Sequence, residues 1–261
     1  MDEKSVLLDR VGHVHVITLN RPERLNAVDP DMRDLLGDTI RAADRDDDSR
    51  VIVITGAGRG FCSGGDTKAL KASAFAGAGR KRVLSPGRDL VDTIIRAEKP
   101  IIAMVNGVAV GLGATIALLC DVVLMADGAT IGDRHVNVGL VAGDGGAVIW
   151  PLLIGPARAK LHLMTGRMIT AADAERMGLI WKAVPADTLN AEVMALADEL
   201  AALPPYAVQA TKASINRSLA AASGVVLDAS LAYEHMSMHT ADHQEALAAW
   251  SEKRSGNYVG Q

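Results

Sequence analysis

Two uninterrupted apolar runs, Val51-Ile-Val-Ile-Thr55 and Ile101-Ile-Ala-Met-Val105, are each followed by a glycine-rich turn and then a helix-type run. Runs of this length predict buried strands. A strand, a glycine turn and a helix leave backbone N–H groups unpaired at the helix start, where they can hold an anion. Ahead of them, Ser5–Arg10 and His13–Leu19 alternate apolar and polar positions around Val11-Gly12, which predicts an antiparallel hairpin. Asp29 and Pro30 then open a helix running towards Ala43, as a capping acid followed by an early proline should. The charge run Asp44-Arg-Asp-Asp-Asp-Ser-Arg50 reads as a solvated loop.

Residues 69–90 are less regular and include basic Arg80-Lys-Arg82, a stretch suited to a flap over a ligand. Leu90–Ala97 reads as a helix and Val122–Met125 as a short strand. From Asp144 the pattern turns helical through Trp150 and Pro151 to a break at Gly155-Pro156. Ala157–Met164 and Ala171–Met177 follow as helices joined by a Thr165-Gly166 turn. Beyond Pro185 the reading is helical throughout, over about 188–202, 205–220, 224–238 and 240–253. Leu203-Pro204-Pro205 marks the expected boundary between a core at 1–203 and a C-terminal helical region at 204–261. The uncharged segment Pro100–Cys120 is long enough to suggest a membrane span. Its Asn106 and three glycines favour a core strand, a ligand loop and a buried helix instead, so no membrane partner is expected.

A chain of 261 residues can bury a full core. A net charge of −4 argues against a nucleic-acid partner, which needs a basic face. Two cysteines, Cys62 and Cys120, make no disulfide framework and have no metal-ligand spacing. A reducing cytoplasm is the expected location. The charged start Met1-Asp-Glu-Lys has no apolar run behind it, and no secretory signal is read there. His235 and His239 are four apart on one helix face, but with no third ligand no metal is expected.

Four segments carry a resemblance, in one order along almost the whole chain: Asn20-Arg-Pro-Glu-Arg-Leu-Asn-Ala-Val28, Gly58-Arg-Gly-Phe-Cys-Ser-Gly-Gly-Asp-Thr-Lys68, Lys99 through Asn106-Gly107 to Cys120-Asp121, and Glu245–Arg254. Together they resemble the crotonase (enoyl-CoA hydratase/isomerase) superfamily. The resemblance implies an α/β fold, a crotonase-like spiral of ββα turns closed by C-terminal helices that form homotrimers, often paired into hexamers. It also implies an oxyanion hole made by two backbone N–H groups, at Gly65 and Leu112 by position, which polarises an acyl-thioester carbonyl and stabilises its enolate. Leucine where the family usually has glycine keeps the donor, because the main chain supplies it. Coenzyme A is then expected as part of the substrate, with no separate cofactor. Substrate-binding positions carried over are Ala27, Asp66, Lys68, Thr115, Trp250 and Lys253. Of these, Asp66 reads first as loop structure, and Lys68 has a solvated role as its alternative. Plain helix packing is the alternative for Trp250 and Lys253. Asp121 reads as structural.

The two glutamates that hydratases of this family use fall on Thr115 and His135 here. A threonine hydroxyl cannot replace a carboxylate as a proton shuttle, so ordinary two-glutamate hydration is not expected. Nine residues after His135 stands Asp144. Imidazole can take a proton from water at neutral pH, and a carboxylate on its other nitrogen would fix the tautomer. The alternative for Asp144 is a helix N-cap, and Asp133 is a second candidate partner for His135. Gly143-Asp-Gly-Gly-Ala-Val-Ile-Trp-Pro151 is similar, locally, to the 6-oxocamphor hydrolase of a branch that cleaves β-diketones by retro-Claisen hydrolysis. The expected function is therefore a His/Asp-assisted water reaction, on an acyl thioester or a diketone, in which the oxyanion hole holds the departing enolate. Alternatives are an enoyl-CoA hydratase with atypical acid–base residues and a non-catalytic acyl-CoA-binding protein.

Overall fold

The computed structural model describes residues 4–66 and 86–260. Lys68, Arg80, Lys81 and Arg82 lie outside them. The hairpin expected at the start is β1 (Val6–Val11) against β2 (Val14–Leu19), antiparallel with Val11 opposite Val14. Gly12 turns it at φ +58°, a left-handed conformation that glycine adopts without strain. Helix α1 (Pro30–Arg45) is capped as read, the Met32 N–H donating to the Asp29 side chain. It buries Met32, Leu36, Ile40 and Ala43, one stripe at helical spacing.

Each following unit places one strand in each of two sheets. β3 (Val51–Gly56) is followed by β4 (Gly60–Cys62), and β5 (Ile101–Val105) by β6 (Val108–Val110). Next comes β7 (Val122–Ala126) with β8 (Thr130–Gly132). β3, β5 and β7 pair in parallel in a sheet completed by β1, β2 and β10 (Lys182–Val184). β4, β6 and β8 form the second sheet, closed by an antiparallel β9 (Ile169–Thr170). This is a spiral of ββα turns. β3 and β5 are buried at every residue, which is why they read as continuous apolar runs rather than as alternations.

The helices between strands are α2 (Pro86–Arg96) and α3 (Leu112–Leu119); α4 (Gly146–Ile154), α5 (Pro156–Thr165) and α6 (Ala171–Arg176) follow β8. The uncharged segment 100–120 is thus β5, β6 and the buried α3, and no helix among the described residues is long and apolar enough to cross a membrane. α7 (Leu189–Ala202), α8 (Pro205–Ser237) and α9 (Ala241–Glu252) complete the chain.

Three readings are corrected. The helices expected over 205–220 and 224–238 are one helix, α8. Gly224 inside it costs about 1 kcal/mol relative to alanine, too little to end a helix whose buried face runs on through Ser223, Leu227, Ser230 and Glu234. The short strand β9 separates the two helices expected to meet at Thr165-Gly166. Asp144 does not cap α4, which starts from Gly145 without a side-chain cap.

The C-terminal helices pack on the spiral. Lys212, buried on α8, donates to the Lys99 carbonyl at 2.7 Å and pairs with Asp121 at 2.7 Å. Asp121 also accepts the Ile101 N–H, the structural role read for it. Asn216 of α8 donates to the Ile95 carbonyl at the end of α2.

Candidate active site

Two asparagines, Asn26 fully buried and Asn106 half-buried, tie down the first glycine turn. The Asn26 amide donates to the carbonyls of Ala57, Gly60 and Phe61, and the Asn106 amide to those of Gly56 and Gly58. Asp66, ending the turn, accepts from the Arg21 and Arg24 guanidinium groups at 3.2 and 2.7 Å. Val28 pairs with this loop through Val28 N–H to the Gly64 carbonyl and Asp66 N–H to the Val28 carbonyl. In that parallel bridge the flanking residues make both hydrogen bonds, so the Gly65 N–H faces away from Val28.

The second turn reaches the same place from β6. Gly111 stands before α3 with φ +54°, and Leu112 is the first helical residue, its N–H one of the donors that a helix start leaves over. The two turns press together on glycine. A Cβ at Gly113 would collide with the Cys62 carbonyl, and one at Gly64 would lie 2.9 Å from the Val110 carbonyl oxygen and 3.8 Å from the Leu112 nitrogen. The Gly65 and Leu112 backbones thus share the wall of one cavity of about 430 Å³.

His135, Asp144, Leu140, Leu231, Glu234 and Trp250 line the same cavity. His135 sits on a 3₁₀ turn, His135–Val138, just after β8. Its ring lies over Gly111, where a Cβ would be 3.2 Å from the imidazole Cε1. His135 Nδ1 is 2.8 Å from Asp133 Oδ1, and Nε2 is 3.3 Å from Asp144 Oδ2. Asp144 Oδ1 in turn accepts the Thr115 hydroxyl at 3.1 Å. The carboxylate expected to hold the far nitrogen of His135 was Asp144; Asp133 holds Nδ1 instead, and Asp144 takes Nε2, on the cavity side.

The electrostatics follow from this order. Burial alone would lower the His135 pKa, but Asp133 and Asp144 together outweigh it and hold the imidazole well above its ordinary value. Burial pushes Asp133 upward, and the His135 charge and hydrogen bonds bring it below the ordinary carboxylate value. Among the described residues the second oxygen of Asp133 meets no side-chain or backbone donor, and it lies against Gly146, the first residue of α4. The positive end of that helix favours its charge. Asp133, His135 and Asp144 have donor atoms within 4.8 Å of one another, the grouping among the described residues able to hold a metal ion. With both imidazole nitrogens committed to carboxylates, the cluster is arranged around a proton.

Other expected positions fall differently. Asp66 and Trp250 line the cavity. Ala27, Thr115 and Lys253 do not: the Ala27 carbonyl accepts from Arg21, Thr115 is buried behind Asp144, and Lys253 is exposed where α9 ends. Thr115 therefore holds Asp144 rather than the substrate. A hydrogen bond to a charged group is worth about 1.5–3 kcal/mol. Thr115→Val should accordingly cost the fold about 1.5–3 kcal/mol and, by loosening Asp144, lower kcat, effects that a melting curve and steady-state kinetics will read.

Glu234, on α8, escaped the sequence reading. It is buried with its side chain against Gly143, and burial first, then the neighbouring Asp144, push its pKa up to about 8. The signal was present: an acid on the same helical stripe as Ser223, Leu227 and Ser230, a stripe that otherwise reads as core.

The family model described as enoyl-CoA hydratase/isomerase matches residues 9–261. The chain is 34% identical to a 1,2-epoxyphenylacetyl-CoA isomerase of Escherichia coli, over 95% of each chain. It is 31% identical to a short-chain-enoyl-CoA hydratase of Clostridium acetobutylicum, over 97% of each. The crystal structure of an enoyl-CoA hydratase/isomerase from Mycobacterium paratuberculosis superimposes with a TM-score of 0.88 at 38% identity, covering 94% of this chain and 97% of that one. A spiral fold, a full-length family match and two glycine turns converging on one cavity lead to one conclusion: the chain belongs to the enoyl-CoA hydratase/isomerase family.

Proposed function

We propose that this enzyme stabilises an enolate at the Gly65 and Leu112 N–H groups and carries out a water reaction in which Asp144 is the base, the reaction being retro-Claisen cleavage of a β-dicarbonyl substrate. The observation that carries this reading is the Asp133–His135–Asp144 row. An imidazole held cationic between two carboxylates has no lone pair free for a proton, so water activation passes from His135 to Asp144. His135 and Thr115 then orient Asp144, and the imidazolium stabilises its charge. Water gives a proton to Asp144 and its oxygen bonds to one ketone carbon. The carbon–carbon bond breaks, its electron pair passes to the enolate, and the two N–H donors hold the enolate oxygen. Each such donor is worth about 2.7–4 kcal/mol of barrier.

The choice of reaction draws on the resemblance to a β-diketone hydrolase that residues 143–151 carry in the sequence reading. The family supports acyl thioesters as the substrate class, with coenzyme A as the handle of the substrate rather than a cofactor. Assembly as a homotrimer or hexamer belongs to the same proposal, and exposed Leu152, Leu161 and Met164 supply apolar surface for it. A second reading, isomerisation by Asp144 alone, draws on the Escherichia coli isomerase relative.

The test is a substrate pair. Cyclohexane-1,3-dione, its loss followed by ultraviolet absorbance, should be opened to 5-oxohexanoate, while crotonyl-CoA should not be hydrated at ordinary enzyme rates of roughly 1–10³ s⁻¹. Rapid crotonyl-CoA hydration with an untouched diketone would replace this reading by hydration.

A further inference from the structure

The Asp144 site can take a proton from water, but the enolate it releases also needs a proton at its α-carbon. We propose that Glu234 is the general acid that delivers it. The assignment deepens the water reaction proposed above and rests on it. Glu234 lies on the α8 wall of the cavity, is only 9% exposed, and has no hydrogen bond or ion pair to its carboxyl group among the described residues. Its place is fixed from both sides. The Ser230 hydroxyl, one turn earlier, donates to the Gly143 carbonyl at 2.8 Å, and the Val141 N–H donates to the Ser237 hydroxyl, one turn later, at 3.2 Å. Between these stitches a Cβ at Gly143 would lie 2.6 Å from Glu234 Oε2, so the carboxyl rests on the backbone next to Asp144.

A buried carboxyl without a donor partner favours its neutral form, and the groups facing it reinforce this. After burial, Asp144 raises its pKa, His135 lowers it, and Asp133 raises it again, for a value of about 8. His235 and Arg134 line the same cavity. At neutral pH the site therefore holds one carboxyl group that can give a proton and one linked to an imidazolium. Environments that separate two carboxyl groups in this way assign acid and base roles. The step balances: the Glu234 O–H bond breaks, its proton bonds to the enolate α-carbon, and the enolate pair becomes that C–H bond. Glu234 is left as a carboxylate and Asp144 as an acid, and proton transfer between them through water resets the site.

By microscopic reversibility, ionised Glu234 removes an α-proton from a saturated thioester. The experiment uses butyryl-CoA in deuterated water, with binding measured by calorimetry and α-hydrogen exchange by NMR. The wild-type enzyme should exchange, faster as pH rises through about 8, where Glu234 ionises. Glu234→Gln should lose about 10²-fold of this exchange at unchanged affinity, and Glu234→Asp should keep a measurable part of it. Asp144→Asn should move the pH profile of exchange to lower pH, because removing the Asp144 charge lowers the Glu234 pKa. Butyryl-CoA that fails to bind, binding without exchange, exchange unaffected in Glu234→Gln, or exchange lost only in Asp144→Asn would each overturn the assignment. Exchange that depends on Glu234, in an enzyme that opens no diketone, would keep the acid and sink the water reaction.

Discussion

Replacing Asp144 with asparagine is expected to lower kcat/KM by about 10³–10⁴-fold, the upper part of what a positioned general base contributes. That corresponds to about 4–5.5 kcal/mol of barrier. Asparagine has the same size and can still accept the Thr115 hydroxyl that donates to Asp144 at 3.1 Å. Asp133, 2.8 Å from His135 Nδ1, remains to hold the imidazolium. What disappears is the carboxylate on the cavity side of the row. The fold should be intact by circular dichroism, and thioester affinity close to wild type. An Asp144→Asn enzyme within tenfold of wild type would remove Asp144 from the chemistry.

The second large effect is expected at Gly64, where alanine should cost about 10²–10³-fold in kcat, the loss typical of one oxyanion donor. Main-chain donors cannot be deleted by substitution, but their convergence can be spoiled. Gly64 has φ +94°, and an added Cβ would stand 2.9 Å from the Val110 carbonyl oxygen. The Gly65 turn would have to back away from the Leu112 turn to make room. Gly128→Ala is the control, since a Cβ there meets nothing within 4 Å; it should retain wild-type rates. Equal activity in the two variants would show that the two turns do not act together on one oxygen.

Much of this site was legible because its parts are local. The apolar runs at 51–55 and 101–105 and the glycines after them announce strand, turn and helix without tertiary information. The cap at Asp29 and the hairpin at Gly12 are legible for the same reason. The second sheet was not: β4, β6, β8 and β9 are two or three residues long, too short for any periodicity to register. The pairing of His135 depends on long-range packing. Asp133 and Asp144 are both near it in sequence, but only the seating of the ring on Gly111 decides which nitrogen each receives. Glu234 is 99 residues beyond His135 and reaches the cavity only because α8 lies along the 141–144 loop. Reading α8 as two helices also cost the continuity of its buried face.

The most direct test of the account is to run the diketone reaction in ¹⁸O-labelled water and weigh the product by mass spectrometry, with Asp144→Asn alongside. The wild-type enzyme should place one labelled oxygen in the new carboxylate of 5-oxohexanoate, and the variant should form almost no product. Unopened diketone, or labelled product formed as fast without the Asp144 carboxylate, would contradict it.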